Sequence, residues 1–369
     1  MNYDYLIVGA GLFGSVFARE MTDQGYKCLI LEKRNHIGGN CYSEKIENID
    51  VHIYGPHIFH TKDKAIWDYV NKYTPWRTYQ NRVKHLYKNK VLSFPINLMT
   101  LHQIWGVVTP EEAQKKLDQV RIKNGNPQNL EEWILSQVGQ ELYDIFIKGY
   151  TTKQWRRDPK DLPVDIIKRL PIRMVYNDKY FDADYEGLPI EGYDVFFNNL
   201  LSGIEVKLGT DYLLNRGFFN SLATHILYTG KIDEFYDFKL GPLEYNDLML
   251  KTEVLPIKDF QGCAVMNFPD IEIPYTRRIE YKHFLPIRQE NCTAIMHEFP
   301  VRMGEGIPSY PVNTKLNDEK YSDYLKLNNE VFFGGRLGSY KYCDMDATIK
   351  QARTLAKELQ ETNKKDKHV

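Results

Sequence analysis

The sequence predicts an α/β protein in which a Rossmann-like nucleotide-binding domain is combined with an inserted helical domain and an antiparallel β-sheet domain. Three observations predict this fold class: a glycine fingerprint between a strand and a helix near the N-terminus, helix-capping signals after residue 108, and short β-rich runs after residue 243. The chain has 369 residues, too many for one simple core, so two or three domains or one large elaborated domain are expected.

The glycine fingerprint directly follows the apolar run at residues 5–8. Gly9 permits a tight turn, Gly11 lets the backbone approach a pyrophosphate, and Gly14 lets the next helix pack closely on the strand. Phe13 lies within the same turn. This order of elements predicts a dinucleotide site and disfavours a glycine-rich turn that binds nothing.

The helix predicted at residues 15–23 directs its N-terminal amides and its positive dipole end at the pyrophosphate. A second apolar run, residues 28–31, ends in Glu32, at the position where the fingerprint requires an acid for ribose hydroxyls. Lys33 follows it directly.

The residues after Glu32 favour FAD over NAD as the cofactor. Gly38 and Gly39 allow a further close approach of the backbone, and Arg34 supplies a cation, which together suit a longer cofactor. No second glycine fingerprint occurs in the sequence, and Arg336, after two glycines, is interpreted as another flavin contact through its guanidinium. An ordinary surface turn is the alternative for the glycine pair alone.

Capping signals predict two helices in the inserted domain. Thr109 is at the N-cap and Pro110 is at the first helical position. Glu112 is at the capping-box position, three residues after Thr109. Asn129 opens the second helix, and the apolar residues between 133 and 146 have helical spacing.

β-rich runs alternate with prolines and charges in the second half of the chain, and they predict an antiparallel sheet. The pattern covers about residues 174–185 and 243–313, and its runs are residues 249–254, 263–268 and 293–296.

The C-terminal segment is predicted to return to the first domain, because a buried-type strand at residues 331–333 runs into glycines and a helix at residues 346–361. The expected division is an FAD-binding domain at residues 1–81, 194–243 and 320–369, a helical domain with a mobile loop at residues 98–164, and a sheet domain for the substrate at residues 82–97, 165–193 and 244–319.

Composition excludes several classes of function. The net charge of −1 argues against a general nucleic-acid binder. The five cysteines carry no CxxC pair, which indicates reduced thiols, a cytoplasmic protein and no zinc site. The chain enters a strand at once, so neither a signal peptide nor a transmembrane segment is expected.

Several motifs spread over nearly the whole chain are more specific than the glycine fingerprint. They lie at residues 32–40, 55–61, 147–155, 166–169, 274–277, 310–313, 334–337 and 340–342. Through these motifs the chain resembles the bacterial UDP-galactopyranose mutase family of flavoenzymes.

The resemblance implies an isomerase that uses reduced FAD as a nucleophile. In this family flavin N5 attacks the anomeric carbon of a nucleotide-sugar and displaces the nucleoside diphosphate. The sugar then opens, recloses through another hydroxyl and is recaptured by the diphosphate. The implied reaction is a pyranose–furanose interconversion without net redox change, on UDP-galactose, UDP-N-acetylgalactosamine or dTDP-fucose. A homodimer and a role in polysaccharide biosynthesis are implied in the same way.

The resemblance also implies site residues. Arg169 and Arg277 would hold the diphosphate, for which guanidinium groups are suited. His57 would lie against the flavin and help to poise N5. His60 would have a structural role. The implied cofactor contacts are Gly9, Gly11, Phe13, Gly14, Glu32, Lys33, Arg34, Gly39, Asn40, His57, Arg336, Asp344 and Met345. The implied substrate contacts are Phe146, Tyr150, Thr151, Trp155, Arg169, Tyr180, Asn267, Arg277, Tyr310 and Tyr342, with a mobile loop near Trp155 that would exclude water.

Three positions depart from the family's usual residues. Asn246 stands where an arginine is common, and Ser309 and Cys343 stand where tyrosines are frequent. These departures leave the sugar and the nucleotide open. Two alternative functions remain at this point, an amine-oxidase-type flavin oxidoreductase and a non-catalytic flavin-binding scaffold.

Overall fold

The computed structural model describes residues 2–168, 170–285, 291–327 and 330–366. The strands, in chain order, are β1 Tyr3–Val8, β2 Cys28–Leu31, β3 Ser43–Ile46, β4 Ile49–His52, β5 Phe59–Thr61, β6 Trp76–Thr78, β7 Val83–Tyr87, β8 Lys90–Phe94, β9 Tyr185–Pro189, β10 Glu205–Lys207, β11 Ala223–Tyr228, β12 Tyr245–Leu255, β13 Val265–Asn267, β14 Arg277–Glu280, β15 Thr293–Val301, β16 Ile307–Pro311 and β17 Val331–Phe333.

The helices, in the same order, are α1 Leu12–Thr22, α2 Lys64–Asn71, α3 Leu98–Trp105, α4 Pro110–Val120, α5 Leu130–Leu142, α6 Gly149–Trp155, α7 Tyr193–Leu200, α8 Arg216–Asn220, α9 Ile232–Phe235, α10 Lys315–Lys326, α11 Gly335–Gly338 and α12 Met345–Asp366. Among the described residues, no helix has both the length and the apolar character needed to cross a bilayer.

A parallel sheet in the order β10-β2-β1-β11-β17 forms the Rossmann-like part of the fold. Helices α1 and α12 pack together through buried residues such as Val16 and Ala352. The predicted return of the C-terminal segment is confirmed, because β17 pairs in parallel with β11. Helix α1 begins at Leu12, earlier than predicted, because Gly11 is extended and serves as its N-cap.

The second sheet has the order β16-β12-β15-β14-β13-β7-β8, and its strands are antiparallel except for the β7–β13 pair. The runs predicted at residues 249–254, 263–268 and 293–296 contain β12, β13 and β15 strand residues. The fold class predicted from the sequence is therefore confirmed.

The assignment of residues 174–185 to the antiparallel sheet is wrong, because β9 begins only at Tyr185 and pairs in another sheet. Residues 174–184 form an irregular loop instead. The guanidinium of Arg173 donates hydrogen bonds to carbonyls along this loop, which removes them from any strand ladder. Strand β9 pairs with β5 and β6 in a separate small sheet.

The two helix starts predicted in the inserted domain are confirmed. The Thr109 hydroxyl accepts a hydrogen bond from the Glu112 amide, and the Glu112 carboxylate accepts one from the Thr109 amide, both at 3.2 Å. Asn129 caps α5. A π-helical turn at Tyr143–Lys148, which was not predicted, joins α5 to α6. These helices share one buried core with the antiparallel sheet.

Candidate functional site

A cavity of about 480 Å³ lies between the antiparallel sheet, α6 and the segment that follows β17. Its walls come from the β4–β5 loop, α6, the antiparallel sheet and the segment from Arg336 to Met345. Most of the predicted site residues line this cavity. They are Asn40, His57, Phe146, Tyr150, Thr151, Trp155, Tyr180, Asn267, Arg277, Tyr310, Arg336, Tyr342, Asp344 and Met345. Arg169 lies outside the described residues.

The glycine fingerprint lies apart from the cavity walls, at the end of β1. A Cβ atom on Gly14 would lie 2.1 Å from the carbonyl oxygen of Gly9, so α1 packs on the turn only because this residue is glycine. A Cβ atom on Gly39 would lie 2.8 Å from the Cα of Gly11, and Gly38 forms a parallel bridge with Gly11. The backbone of Gly9 to Gly14 and of Gly38 and Gly39 thus forms one concave surface, called the glycine cradle below. Side chains at these positions would fill it.

Glu32 closes this cradle on one side. Its carboxylate is 6% exposed and accepts hydrogen bonds from the amides of Ala10 at 2.8 Å and Arg34 at 2.9 Å. Each oxygen keeps a lone pair for a further donor. This geometry fits the recognition of ribose hydroxyls.

The other predicted cofactor contacts around the cradle have different surroundings. The Arg34 guanidinium lies 4.2 Å from the centre of the Tyr54 ring and donates to Asn40 Oδ1 at 3.1 Å. Lys33 is exposed. The Phe13 ring lies so close to Gly334 that a Cβ atom there would be 2.3 Å from the ring, so Phe13 joins the N-terminal and C-terminal glycine motifs.

Asn40 connects the cradle to the cavity, because it directly follows Gly39 in the chain and lines the cavity. A dinucleotide bound at the glycine cradle can therefore extend past Asn40 to His57 and Arg336 in the cavity. These residues fit a cofactor longer than a single nucleotide.

His57 is a neutral imidazole on the cavity wall. Burial and the neighbouring His52 lower the pKa of His57 to about 3. Its Nδ1 atom lies 2.8 Å from the carbonyl oxygen of Gly55, so Nδ1 carries the proton and Nε2 keeps a lone pair. Its backbone carbonyl accepts a hydrogen bond of 2.8 Å from the Tyr193 hydroxyl, which fixes the loop.

Arg277 is the charged centre of the cavity. Its Nε and Nη2 atoms donate to the two carboxylate oxygens of Glu298 at 2.7 and 3.1 Å. Burial alone would lower the pKa of Arg277, but the Glu298 carboxylate raises it well above its usual value. The guanidinium therefore stays charged and keeps its remaining N–H groups for a ligand.

Aromatic rings form one side of the same cavity. The Tyr310 and Tyr342 rings lie 5.7 Å apart at an angle of 27°, and the Trp155 ring lies 6.2 Å from Tyr310. Phe146 is 1% exposed and packs 4.7 Å from the His85 ring. Phe146 thus belongs to the apolar stripe of its helix and also reaches the cavity wall.

The structure adds site residues that were not predicted from the sequence. Gln154 and Asn81 are buried on the cavity wall and each has one side-chain polar atom without a partner, as has the predicted Asn267. A ligand with its own donors and acceptors would satisfy them. Glu298 was also missed, because only the register of β14 against β15 brings it opposite Arg277.

The three departures from the family pattern lie on or near the cavity. Ser309 and Cys343 line it. Asn246 lies on β12 opposite Tyr310, is 8% exposed and leaves its Nδ2 atom without a partner.

One group of possible metal ligands occurs in the described part of the chain, away from the cavity. It consists of Asp259, Glu280 and His283. The Glu280 carboxylate already accepts hydrogen bonds from two backbone amides and from Thr293. These bonds and His283 use its lone pairs, so the group fits a structural anchor better than a metal site.

The fold and the cavity define the class of the protein: a Rossmann-type dinucleotide-binding protein with a second, cationic and tyrosine-rich ligand site. The family described as NAD(P)-binding Rossmann-like domain matches residues 7–73, and the family described as UDP-galactopyranose mutase matches residues 145–342. The chain belongs to the UDP-galactopyranose mutase family.

The relatives of the chain include two mutases with different names. The dTDP-fucopyranose mutase of Escherichia coli is 39% identical over 97% of this chain and 99% of its own length. The probable UDP-galactopyranose mutase of Klebsiella pneumoniae is also 39% identical, over 97% of this chain and 95% of its own length. A crystal structure of reduced UDP-galactopyranose mutase has the same fold, with a TM-score of 0.78, 16% identity and coverage of 98% of this chain and 94% of that one.

Proposed function

We propose that the protein is a flavin-dependent nucleotide-sugar mutase that interconverts pyranose and furanose forms. The observation that carries this proposal is the charged Arg277 guanidinium, oriented by Glu298 in a cavity that also contains His57 and Arg336. A diphosphate bound at Arg277 would hold its sugar beside the end of the dinucleotide that reaches His57 and Arg336.

FAD in its reduced form is the proposed cofactor. When bound, it would supply a nucleophilic nitrogen for the anomeric carbon of the sugar. The backbone cradle around Gly11 and Gly39 would hold its pyrophosphate, and Glu32 its ribose. The neutral His57 can accept a hydrogen bond at Nε2 but presents no positive charge to the cofactor.

The proposed role of the cavity residues is to keep the leaving diphosphate in place until it is recaptured. Arg277 would bind the phosphates through charge-assisted hydrogen bonds, and the hydroxyls of Tyr150, Tyr310 and Tyr342 would donate to them. Burial raises the pKa of Tyr150 although Arg277 opposes the shift, so this hydroxyl keeps its proton. Arg169 is proposed as a second phosphate ligand from the family resemblance alone.

The proposed substrates are UDP-galactose, UDP-N-acetylgalactosamine and dTDP-fucose, since relatives of equal identity carry two of these names. The test is to reduce the purified protein with dithionite, add each nucleotide-sugar and follow its ring form by chromatography. Interconversion of one of them is expected. No interconversion of any UDP- or dTDP-hexose would contradict the proposal, and oxidation of the sugar would support an oxidoreductase.

A cytoplasmic homodimer, a role in polysaccharide biosynthesis and the predicted domain limits remain proposals. The free thiols of the five cysteines support a reducing compartment. Light scattering of the purified protein would give the oligomeric state, and limited proteolysis would give the domain limits.

A further inference from the structure

We infer that Lys153 is a positioning residue that sets the distance between the two walls of the cavity. This inference rests on the proposed function, because the walls in question carry the proposed phosphate ligands. Lys153 lies on α6 and does not itself line the cavity.

The Lys153 ammonium lies in a cage of four backbone carbonyl oxygens. Nζ is 2.5 Å from the carbonyl of Phe268 and 2.9 Å from each of those of Asp270, Ile273 and Tyr275. All four belong to the connection between β13 and β14. One cation therefore holds both ends and the middle of this connection against α6.

The connection joins two cavity residues. Asn267 ends β13, Arg277 begins β14, and the two are register partners. On the other side, Tyr150, Thr151 and Gln154 of α6 line the cavity. Lys153 thus connects α6, which carries Tyr150, to the β13–β14 connection, which ends at Arg277.

Two further contacts bring the same helix and loop together. A Cβ atom on Gly149 would lie 2.2 Å from the carbonyl oxygen of Pro269, so the start of α6 lies backbone against backbone on the connection. The Thr276 hydroxyl lies 3.3 Å from Gln154 Oε1, next to Arg277. Neither contact neutralises the four carbonyl dipoles that converge on Nζ.

Removal of the ammonium would take away the donor that the four carbonyl oxygens share, and of the four only that of Asp270 would keep a backbone donor, the amide of Ile273 at 3.1 Å. These contacts are partly buried, and carbonyls left without a donor in such a place are costly, so the connection would move away from α6. Backbone carbonyl cages also replace the hydration shell of monovalent cations. An alanine at this position opens room for such a cation, whereas a methionine fills the same space with an apolar side chain.

The experiment compares the holoenzyme variants Lys153→Ala and Lys153→Met with the wild type. We expect both to lower kcat/KM for the active nucleotide-sugar and to weaken UDP or dTDP binding by roughly ten- to a hundredfold. Added potassium or ammonium chloride should restore Lys153→Ala, with saturation, and leave Lys153→Met unchanged. Choline chloride at the same ionic strength separates a bound cation from a salt effect.

Lys148→Ala is the matched control, because Lys148 is an exposed lysine just before α6. It should retain wild-type kinetics in every salt. Wild-type affinity in Lys153→Ala, or a melting temperature that falls while affinity per folded molecule stays constant, would overturn the inference. If Lys153→Ala does not fold, the affinity of Lys153→Met decides alone. Failure of the mutase proposal is a different outcome, because the wild type itself would then show no interconversion. In that case the nucleotide affinity of the wild type can still be compared with that of the variants.

Discussion

Glu298 holds Arg277 by two hydrogen bonds, of 2.7 and 3.1 Å, in the wall of the cavity. The carboxylate is 1% exposed, and the guanidinium is 20% exposed. A pair in this geometry turns one edge of the guanidinium toward the protein and leaves the other edge for a ligand. Removing one partner of such a pair leaves the other charge unpaired, which is costly in a buried place.

Glu298→Gln is expected to lower the affinity for UDP or dTDP and kcat/KM by roughly ten- to a hundredfold, corresponding to about 1.5–3 kcal/mol for a hydrogen bond to a charged group. The amide cannot accept both guanidinium bonds, so Arg277 loses its orientation. Titration calorimetry with the nucleotide measures the effect. Glu253→Gln, at an exposed position of β12, serves as the control and should behave as the wild type. Unchanged or tighter nucleotide binding by Glu298→Gln would contradict this role.

Arg277→Ala is expected to abolish turnover while the FAD content stays normal, because the proposed phosphate site is separate from the glycine cradle. Arg277→Lys keeps the charge but lacks the planar fork that binds phosphate with two hydrogen bonds. It should therefore retain only a small part of the activity. Absorbance of the bound flavin and initial rates check both variants. A near-wild-type rate in either one would remove Arg277 from the proposed site.

Gly14→Ala is expected to abolish FAD retention, since its Cβ atom would lie 2.1 Å from the Gly9 carbonyl oxygen and push α1 away from the turn. Gly217→Ala is the matched control, because a Cβ atom there meets no atom within 4 Å. In a helix this change should stabilise the protein by about 0.5–1 kcal/mol. The flavin-to-protein ratio after purification distinguishes the two variants, and full flavin occupancy in Gly14→Ala would refute the cradle.

The buried Glu280 carboxylate should make stability depend on acidic pH. Burial alone would raise its pKa, but hydrogen bonds from His283, Thr293 and two backbone amides lower the pKa from 4.5 to about 2. A lowered pKa means that the stabilisation is present above pH 4.5 and is lost as the pH falls toward 2.

The corresponding variant is Glu280→Gln. It should lower the free energy of unfolding at neutral pH by an amount on the order of 2–3 kcal/mol. The difference from the wild type should shrink as the pH falls below 4.5. Denaturant melts at several pH values measure it, and a difference that is constant down to pH 2 would exclude this carboxylate as the cause.

The parts of the fold that local patterns specify were predictable from the sequence. The fingerprint from Gly9 to Gly14 and the cap at Thr109 each depend on residues within one turn, and both occur as expected. The loop at residues 174–184 was assigned to the antiparallel sheet, because nothing local indicates that Arg173 binds its carbonyls.

Site residues could be predicted from the sequence only where they belong to a recognisable motif. Arg277 and Tyr310 belong to recognisable segments and line the cavity. Glu298, Gln154 and Lys153 act through partners more than 20 residues away in sequence, so strand register and helix packing alone bring them to their places. The β-rich pattern around Glu298 predicts a strand and gives no sign of the ion pair.

The most direct test of the central proposal is an anaerobic count of product molecules against flavin oxidation in one sample. The reduced protein is mixed with an excess of the accepted nucleotide-sugar, the flavin absorbance is recorded, and the ring form of the sugar is measured at intervals. The mutase account predicts many turnovers per flavin while the flavin stays reduced, and no turnover by the oxidised protein. Product formed only in proportion to a change in the flavin's redox state, or formed equally well by the oxidised protein, would contradict it.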